Sequence, residues 1–374
     1  MSTCDFLIVG AGMAGASAGY ELAGHGRVIL LEREEAPGYH STGRSAAQFL
    51  ESYGNAAVRR LTHASRAFFE HPPGGFAEHA LLTPRGALFV AREEQRETLE
   101  ATLAEVQALV GTARELDAIQ AIERVPVLRR DYVAAAFYEP DSMDMDVAAI
   151  HQGYLKGLRR RGGRVVTDAE VGRLSRVGQA WEVQTRNGRF SAPIVINAAG
   201  AWCDEIARLA GVPPLGLTPK RRTAITFDPP SGVDITRWPL VIDVDETFYF
   251  KPEAGRILAS PADETPVAAC DVQPEELDIA VTVDRLEKAT TLSVRRIAHK
   301  WAGLRTFSPD KTPVVGMEEA APGFVWLAGQ GGYGITTAPA LARATSALLV
   351  EGRLPEDLVS LGLTREALAP SRLR

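Results

Sequence analysis

Residues 6–32 read FLIVGAGMAGASAGYELAGHGRVILLE. Phe6–Val9 is an apolar run that ends in Gly10-Ala11-Gly12-Met13-Ala14-Gly15. A segment of helical pattern follows to about His25, and a second apolar run, Val28–Leu31, closes on Glu32. Strand, glycine turn, helix and strand in this register predict a βαβ unit that holds a dinucleotide. Gly10 allows the tight turn, Gly12 lets the backbone approach a pyrophosphate, and Gly15 lets helix pack on strand. The helix then points its free N–H groups at the phosphates. Glu32, 22 positions past Gly10, is placed to accept hydrogen bonds from ribose hydroxyls. Among 34 glycines a lone GxGxxG carries little weight; the flanking strands and the terminal acid supply it.

Composition narrows the classes. A net charge of −6, with 24% charged residues, offers no basic surface for nucleic acid. The dense basic run Arg159-Arg160-Arg161, with Arg164, ends a segment of helical pattern and reads as a solvated helix C-terminus. Asp5 and an immediate strand leave no room for a signal peptide, and no apolar run approaches the ~20 residues that span a bilayer. A cytoplasmic chain, or one peripheral to the membrane, is expected. Cys4, Cys203 and Cys270 are widely spaced and the seven histidines form no HExxH pair, so neither a disulfide framework nor a metal site is expected. With 374 residues and 45% hydrophobic content the chain can build two cores.

A second glycine cluster, Gly329 to Thr336, follows the strand-like Phe324–Ala328 and precedes a helical segment from Pro339 to Leu349. Ile194 to Trp202 repeats the strand-to-turn pattern in the centre. Between these, Gly86–Ala91 and Val133–Tyr138 read as strands and Glu94–Val110 as an exposed helix. Thr223–Phe227, Leu240–Asp243, Thr247–Lys251 and Arg256–Ser260 read as an antiparallel set, and about 273–298 as one long amphipathic helix. The expected organisation is a nucleotide domain from residues 1–83, 142–214 and 304–374. A second domain, from 84–141 and 215–303, is inserted twice, with crossings near Pro84, Asp141, Pro214 and Gly303.

Spacing does not choose between NAD and FAD. The loop after Glu32, through Arg33 to Ala47, resembles the one that runs along the flavin in the FAD-dependent D-amino-acid oxidase superfamily, which includes glycine and sarcosine oxidases. Asn197 to Trp202 and Gly331 to Gly334 are similar to two further motifs of that group. Within it the nearest resemblance is to the bacterial D-arginine dehydrogenases. It covers essentially the whole chain in one register: Pro37–Ala47 (PGYHSTGRSAA), His151–Tyr154, Pro219–Arg222, Trp301–Arg305 and Gln330–Ile335. The fold this implies is α/β, a Rossmann-like FAD-binding domain with an inserted α+β substrate domain, as in D-amino-acid oxidase. The resemblance further implies FAD held without a covalent bond. Its neighbours would be Ala14, Glu32, Arg33, Ser41, Thr42, Gly43, Arg44, Ser45, Ala46, Ala47, Val171, Gly200, Trp202, Gly331, Gly332, Tyr333, Gly334, Ile335 and Thr336. Val171 alone reads as a plain strand residue. His40 stands where some members of the wider superfamily carry a covalent flavin link.

An amino-acid substrate presents a carboxylate, and two parallel N–H bonds from an arginine fork fix its orientation as well as its charge. Arg222 and Arg305 match the family's carboxylate-binding arginines. In isolation Arg222 reads as a surface charge, whereas Arg305 lies in apolar sequence, where an unpaired charge is costly. Tyr53 and Tyr249 match two active-site tyrosines, and the loops around Tyr53 and Tyr333 match a lid that excludes water. With no triad, metal site or carboxylate pair in view, the flavin is expected to perform the hard step while the protein orients and polarises.

Besides Gly19, which replaces an alanine on the first helix, three positions of the substrate site depart from the D-arginine enzymes. Ala87 stands where they have an acid for the guanidinium, Gln48 replaces a histidine, and Thr336 replaces a glutamine. With Gly332 and Tyr333, these are the expected substrate contacts. Losing a charged hydrogen-bonded pair removes about 2–3 kcal/mol of preference for D-Arg, so neutral or apolar D-amino acids are expected as substrates. They would yield 2-oxo acids and ammonia by hydride transfer from Cα to N5. The stretch Arg256–Ser260 lacks the lysine that sarcosine-type oxidases use toward oxygen, which favours a dehydrogenase that passes electrons to a quinone-like acceptor. Glycine, sarcosine, cyclic secondary amines and 2-hydroxy acids remain alternatives. A flavin- or NAD-binding protein without turnover is the alternative of another class.

Overall fold

The computed structural model describes every residue except Leu109. A six-stranded sheet runs in the order Arg164–Val166, Val28–Leu31, Phe6–Val9, Ile194–Asn197, Phe324–Ala328, Val314–Met317. It is parallel up to Phe324–Ala328 and antiparallel at its last pair. Alternation along Phe6–Val9 splits the core. Phe6 and Ile8 join the cluster under helices Met13–Leu22, Val147–Arg160 and Ala338–Val350. Leu7 and Val9 join the cluster beneath the antiparallel strands Val171–Val177, Ala180–Thr185 and Gly188–Ala192. Burial on both faces is why these short parallel strands read as unbroken apolar runs.

A ten-stranded sheet forms the second layer. Thr218–Phe227 pairs antiparallel with His299–Phe307 on one side and with Arg256–Ser260 on the other. Tyr249–Glu253 and Leu240–Asp243 continue it, after which Ala87–Ala91 joins parallel and Ala135–Glu139 antiparallel. The strand His299–Phe307 passes unbroken through Gly303, the expected crossing.

Two expected helices come out shorter. The one read over 94–110 spans Arg96–Gln107 after a 3₁₀ turn, and it buries Leu99, Leu103 and Val106 rather than lying exposed. Leu109, near its expected end, lies outside the described residues. The one read over 273–298 spans Glu276–Ala289. Thr290 turns extended to bridge Leu128, and its hydroxyl bonds back to the Leu286 carbonyl at 2.7 Å, so the backbone joins a tertiary pairing before the apolar pattern ends. Among the described residues no helix is long and apolar enough to cross a membrane.

Candidate active site

The glycine turn after Phe6–Val9 is forced by close approach. Gly10 has φ +102°, and a Cβ on Gly15 would stand 1.8 Å from the Gly10 carbonyl oxygen. Helix Met13–Leu22 starts at Gly12, which has no side chain to cap it; Thr42 takes the Met13 N–H, and the N–H groups of Ala14 and Gly15 are left for an anionic ligand. Glu32 is buried against the turn, its carboxylate accepting from the N–H groups of Ala11 (2.9 Å) and Glu34 (3.1 Å). Burial raises its pKa, and these amides work against the rise.

The loop from Gly38 to Ala47 is clamped between helix and sheet. Thr42 Oγ1 accepts from the Met13 N–H at 3.0 Å, and the Ser41 hydroxyl donates to the Leu304 carbonyl at 2.6 Å. Arg44 donates to the carbonyls of Val272 and Ala302 and pairs with Asp271. Between these walls lies a cavity of about 400 Å³, within the range of cofactor sites. Gly10, Gly12, Ala14, Glu32, Arg33, Ser41, Thr42, Arg44, Ser45, Ala46, Val171, Gly200, Trp202, Gly331, Gly334 and Ile335 all line it. Arg33 stacks over Trp202 at 4.8 Å, and His40 lies 4.6 Å from the same ring with its Nε2 2.9 Å from Glu34 Oε1. Gly15 and Gly43 do not line it. Gly15 packs beneath Gly10, and the Gly43 N–H closes a turn onto the Gly38 carbonyl at 2.8 Å, so both shape the cavity from behind.

A smaller cavity of about 90 Å³ adjoins the first and shares Ser45, Ala46, Arg222, Tyr249, Arg305, Gly332 and Ile335 with it. Strand register explains the convergence. Arg305 lies opposite Lys220 and Arg222 opposite Gly303, so the two arginines sit diagonally on one sheet face. The pairings Thr226↔Leu258, Tyr249↔Ser260 and Ile242↔Tyr249 carry that face on to Tyr249 and Ile242. Arg305 donates to the Tyr53 hydroxyl at 3.0 Å, and Tyr53 packs edge-on against Tyr333 at 5.0 Å. A Cβ on Gly332 would come within 2.8 Å of the Arg305 guanidinium, so the glycine lets the arginine lie flat on the backbone. Arg222 is fixed by the Asp263 carbonyl, 2.8 Å from Nε, and by Glu264 at 3.5 Å. Burial raises the pKa values of Tyr53 and Tyr333 against the pull of Arg305, which keeps both phenols neutral donors.

Ala47, Gln48, Tyr53, Tyr333 and Thr336 also line the small cavity. Ala87 does not. It lies on the same face but one strand further out, fully buried beside Leu240, so the contact expected of it passes to Leu240 and Ile242. Sequence reasoning also missed Leu50 and Ala262 in this wall, and Gln330 in the large cavity. The Gln330 Nε2 is buried without a partner among the described residues, a donor left for an acceptor on a bound group. Together with the helix N-terminus and the Glu32 carboxylate, it fits a flavin dinucleotide.

A family model described as FAD dependent oxidoreductase matches residues 5–348, and the chain belongs to that family. Over 96% of its length it is 24% identical to the mitochondrial dimethylglycine dehydrogenase of Rattus norvegicus, and over 97% it is 22% identical to the mitochondrial sarcosine dehydrogenase of Mus musculus. The matched regions span 44% and 41% of those two proteins, less than half their length. Among solved structures, L-proline dehydrogenase from P. horikoshii superposes with a TM-score of 0.85 at 21% identity, covering 99% of this chain and 98% of that one. Glycine oxidase from Geobacillus kaustophilus gives 0.83 at 22% identity, covering 98% and 99%.

Proposed function

We propose that the chain oxidises D-amino acids with neutral, mainly apolar side chains, in preference to D-Arg, to imino acids that hydrolyse to 2-oxo acids and ammonia. The observation that carries this reading is the convergence of Arg222, Arg305, Tyr53 and Tyr249 on a small cavity that opens into the glycine-lined one. Two fixed guanidinium groups beside neutral phenols suit a carboxylate, since charged hydrogen bonds there orient as well as bind. Leu50, Leu240, Ile242 and Ala262 make most of the wall apolar, where a guanidinium pays desolvation, and Glu246 is the acid that also lines it among the described residues. The stretch-by-stretch resemblance to D-arginine dehydrogenases supports the D configuration.

FAD, when bound, supplies the two-electron acceptor for the substrate Cα–H bond. The chain's own work is positional. Arg222 and Arg305 hold the carboxylate, the Tyr53 and Tyr249 hydroxyls stand beside it, and the packed Tyr53 and Tyr333 rings exclude water. We take the FAD as non-covalent, as the resemblance to the D-arginine dehydrogenases implies. No lysine lines either cavity among the described residues, which supports an acceptor of the quinone type rather than oxygen.

A second reading, oxidation of N-methylated glycines or cyclic secondary amines, is favoured by the names of the relatives, which act on dimethylglycine, sarcosine and L-proline. Steady-state kinetics with an artificial electron acceptor separate the two. D-Leu and D-Met are expected to exceed D-Arg in kcat/KM by about tenfold or more, a difference of ~1.4 kcal/mol. Sarcosine, dimethylglycine and L-Pro are expected to lag further behind. A preference for D-Arg would refute the pocket assignment, and a preference for the secondary amines would refute the D-amino-acid assignment.

A further inference from the structure

The sheet face that carries the two arginines continues past Leu240 to Ala87 and then to Glu139, the residue opposite Ala87. The segment Leu50–Gly54, which brings Leu50 and Tyr53 to the small cavity, lies over this end of the face. Glu139 is fully buried beneath it. Its Oε1 accepts from the Glu51 N–H at 3.3 Å, and its Oε2 has no hydrogen-bond partner among the described residues. The Ser52 hydroxyl reaches toward this carboxyl, yet it completes no bond either.

The charged groups around Glu139 are already committed. From the overlying segment comes the Glu51 carboxylate, and from helix Ala56–Glu70 come Arg66, His63 and Glu70. Arg66 spends its guanidinium on Glu51 (2.5 and 3.1 Å), Glu70 (3.0 Å) and the Asp141 carbonyl (3.3 Å). His63 Nδ1 bonds the other Glu51 oxygen at 2.8 Å. From the strand beneath comes only Ala87. A buried carboxyl beside a second carboxylate, with no cation bonded to it, holds its proton well above the usual carboxylate range. Burial first, and then the Glu51 charge, push Glu139 up to about 7, against the pull of Ser52, the Glu51 amide and Arg66.

We propose that Glu139 is a positioning residue for the substrate site: its neutral form lets the segment Leu50–Gly54 close over it, and so sets Tyr53 on Arg305, and its ionisation releases that segment. Ionised, the carboxylate is fully buried beside Glu51 with no cation bonded to it, and lifting the segment relieves both costs. The sign follows from linkage. A carboxyl with a raised folded-state pKa favours the closed arrangement at low pH and loses that contribution as pH rises through about 7. The KM component of this proposal rests on the D-amino-acid reading above; the closure of the segment does not.

The test uses the FAD-loaded protein and hydrogen–deuterium exchange of peptides covering residues 48–54, corrected for intrinsic rates, at pH 6 and pH 8. Wild type is expected to lose protection at pH 8, Glu139→Gln to keep the pH 6 protection throughout, and His63→Gln to behave as wild type. In steady state, KM for D-Leu is expected to rise by roughly threefold or more over that interval in wild type. In Glu139→Gln it should stay flat, with kcat little changed in both. Equal wild-type protection at the two pH values would overturn the proposal, and so would a pH response retained in Glu139→Gln or abolished in His63→Gln. Should Glu139→Gln fail to fold, the wild-type and His63→Gln exchange data still decide. Should D-Leu prove inert, the exchange result stands independently of the substrate assignment.

Discussion

Replacing Arg305 by lysine is expected to lower kcat/KM for the amino-acid substrate by about 10- to 100-fold, with the bound flavin spectrum unchanged. Lysine keeps the charge but not the planar fork, and a charged hydrogen bond of this kind is worth ~1.5–3 kcal/mol. Arg305 also donates to Tyr53 at 3.0 Å and lies flat on Gly332, so lysine loses the contact that holds Tyr53 at the cavity. The change is expected mainly in KM, because the carboxylate is bound alike in ground and transition states. Arg222→Lys is expected to act in the same direction and more weakly, since part of the Arg222 guanidinium is engaged by Asp263 and Glu264. Unchanged kinetics in both variants would remove these arginines from the substrate site.

Gly15→Val is expected to yield colourless protein of much reduced stability. A Cβ there would stand 1.8 Å from the Gly10 carbonyl oxygen, which is backbone and has no rotamer by which to yield. The cost goes beyond the ~1–3 kcal/mol typical of overpacking, because turn and helix must separate. Separation also removes the helix N-terminus from the cavity. Visible absorbance of the purified variant and its thermal melt check this; a yellow variant with wild-type stability would contradict the packing described for the turn.

What could be read from the sequence was what local pattern dictates. The βαβ unit, Glu32 and the Gly329–Thr336 cluster are local, and strand limits such as Phe6–Val9 and Phe324–Ala328 coincide with apolar runs because both sheet faces are covered. Arg222 and Arg305 came through resemblance; that they share a face needs the register between two strands some eighty positions apart, which no local pattern contains. Ala87 shows the limit from the other side. It lies on the sheet face that carries the arginines, but the strand order sets Leu240 and Ile242 nearer the cavity. Leu50 and the Glu139 cluster left no sequence signal, and Gln330 lay in a recognised stretch without its role being legible, since an orphaned polar atom is a property of packing. The helix that stops at Ala289 was misread because Thr290 answers to a bridge with Leu128, 162 positions away.

Anaerobic addition of D-Leu to the purified protein tests the central claim most directly. The account predicts a yellow protein whose flavin bleaches fully with D-Leu, slowly or not at all with L-Leu, and which releases 4-methyl-2-oxopentanoate and ammonia, the flavin itself being freed by acid precipitation. Flavin that stays oxidised with D-Leu, D-Met and D-Phe while sarcosine or L-Pro bleaches it would contradict the account.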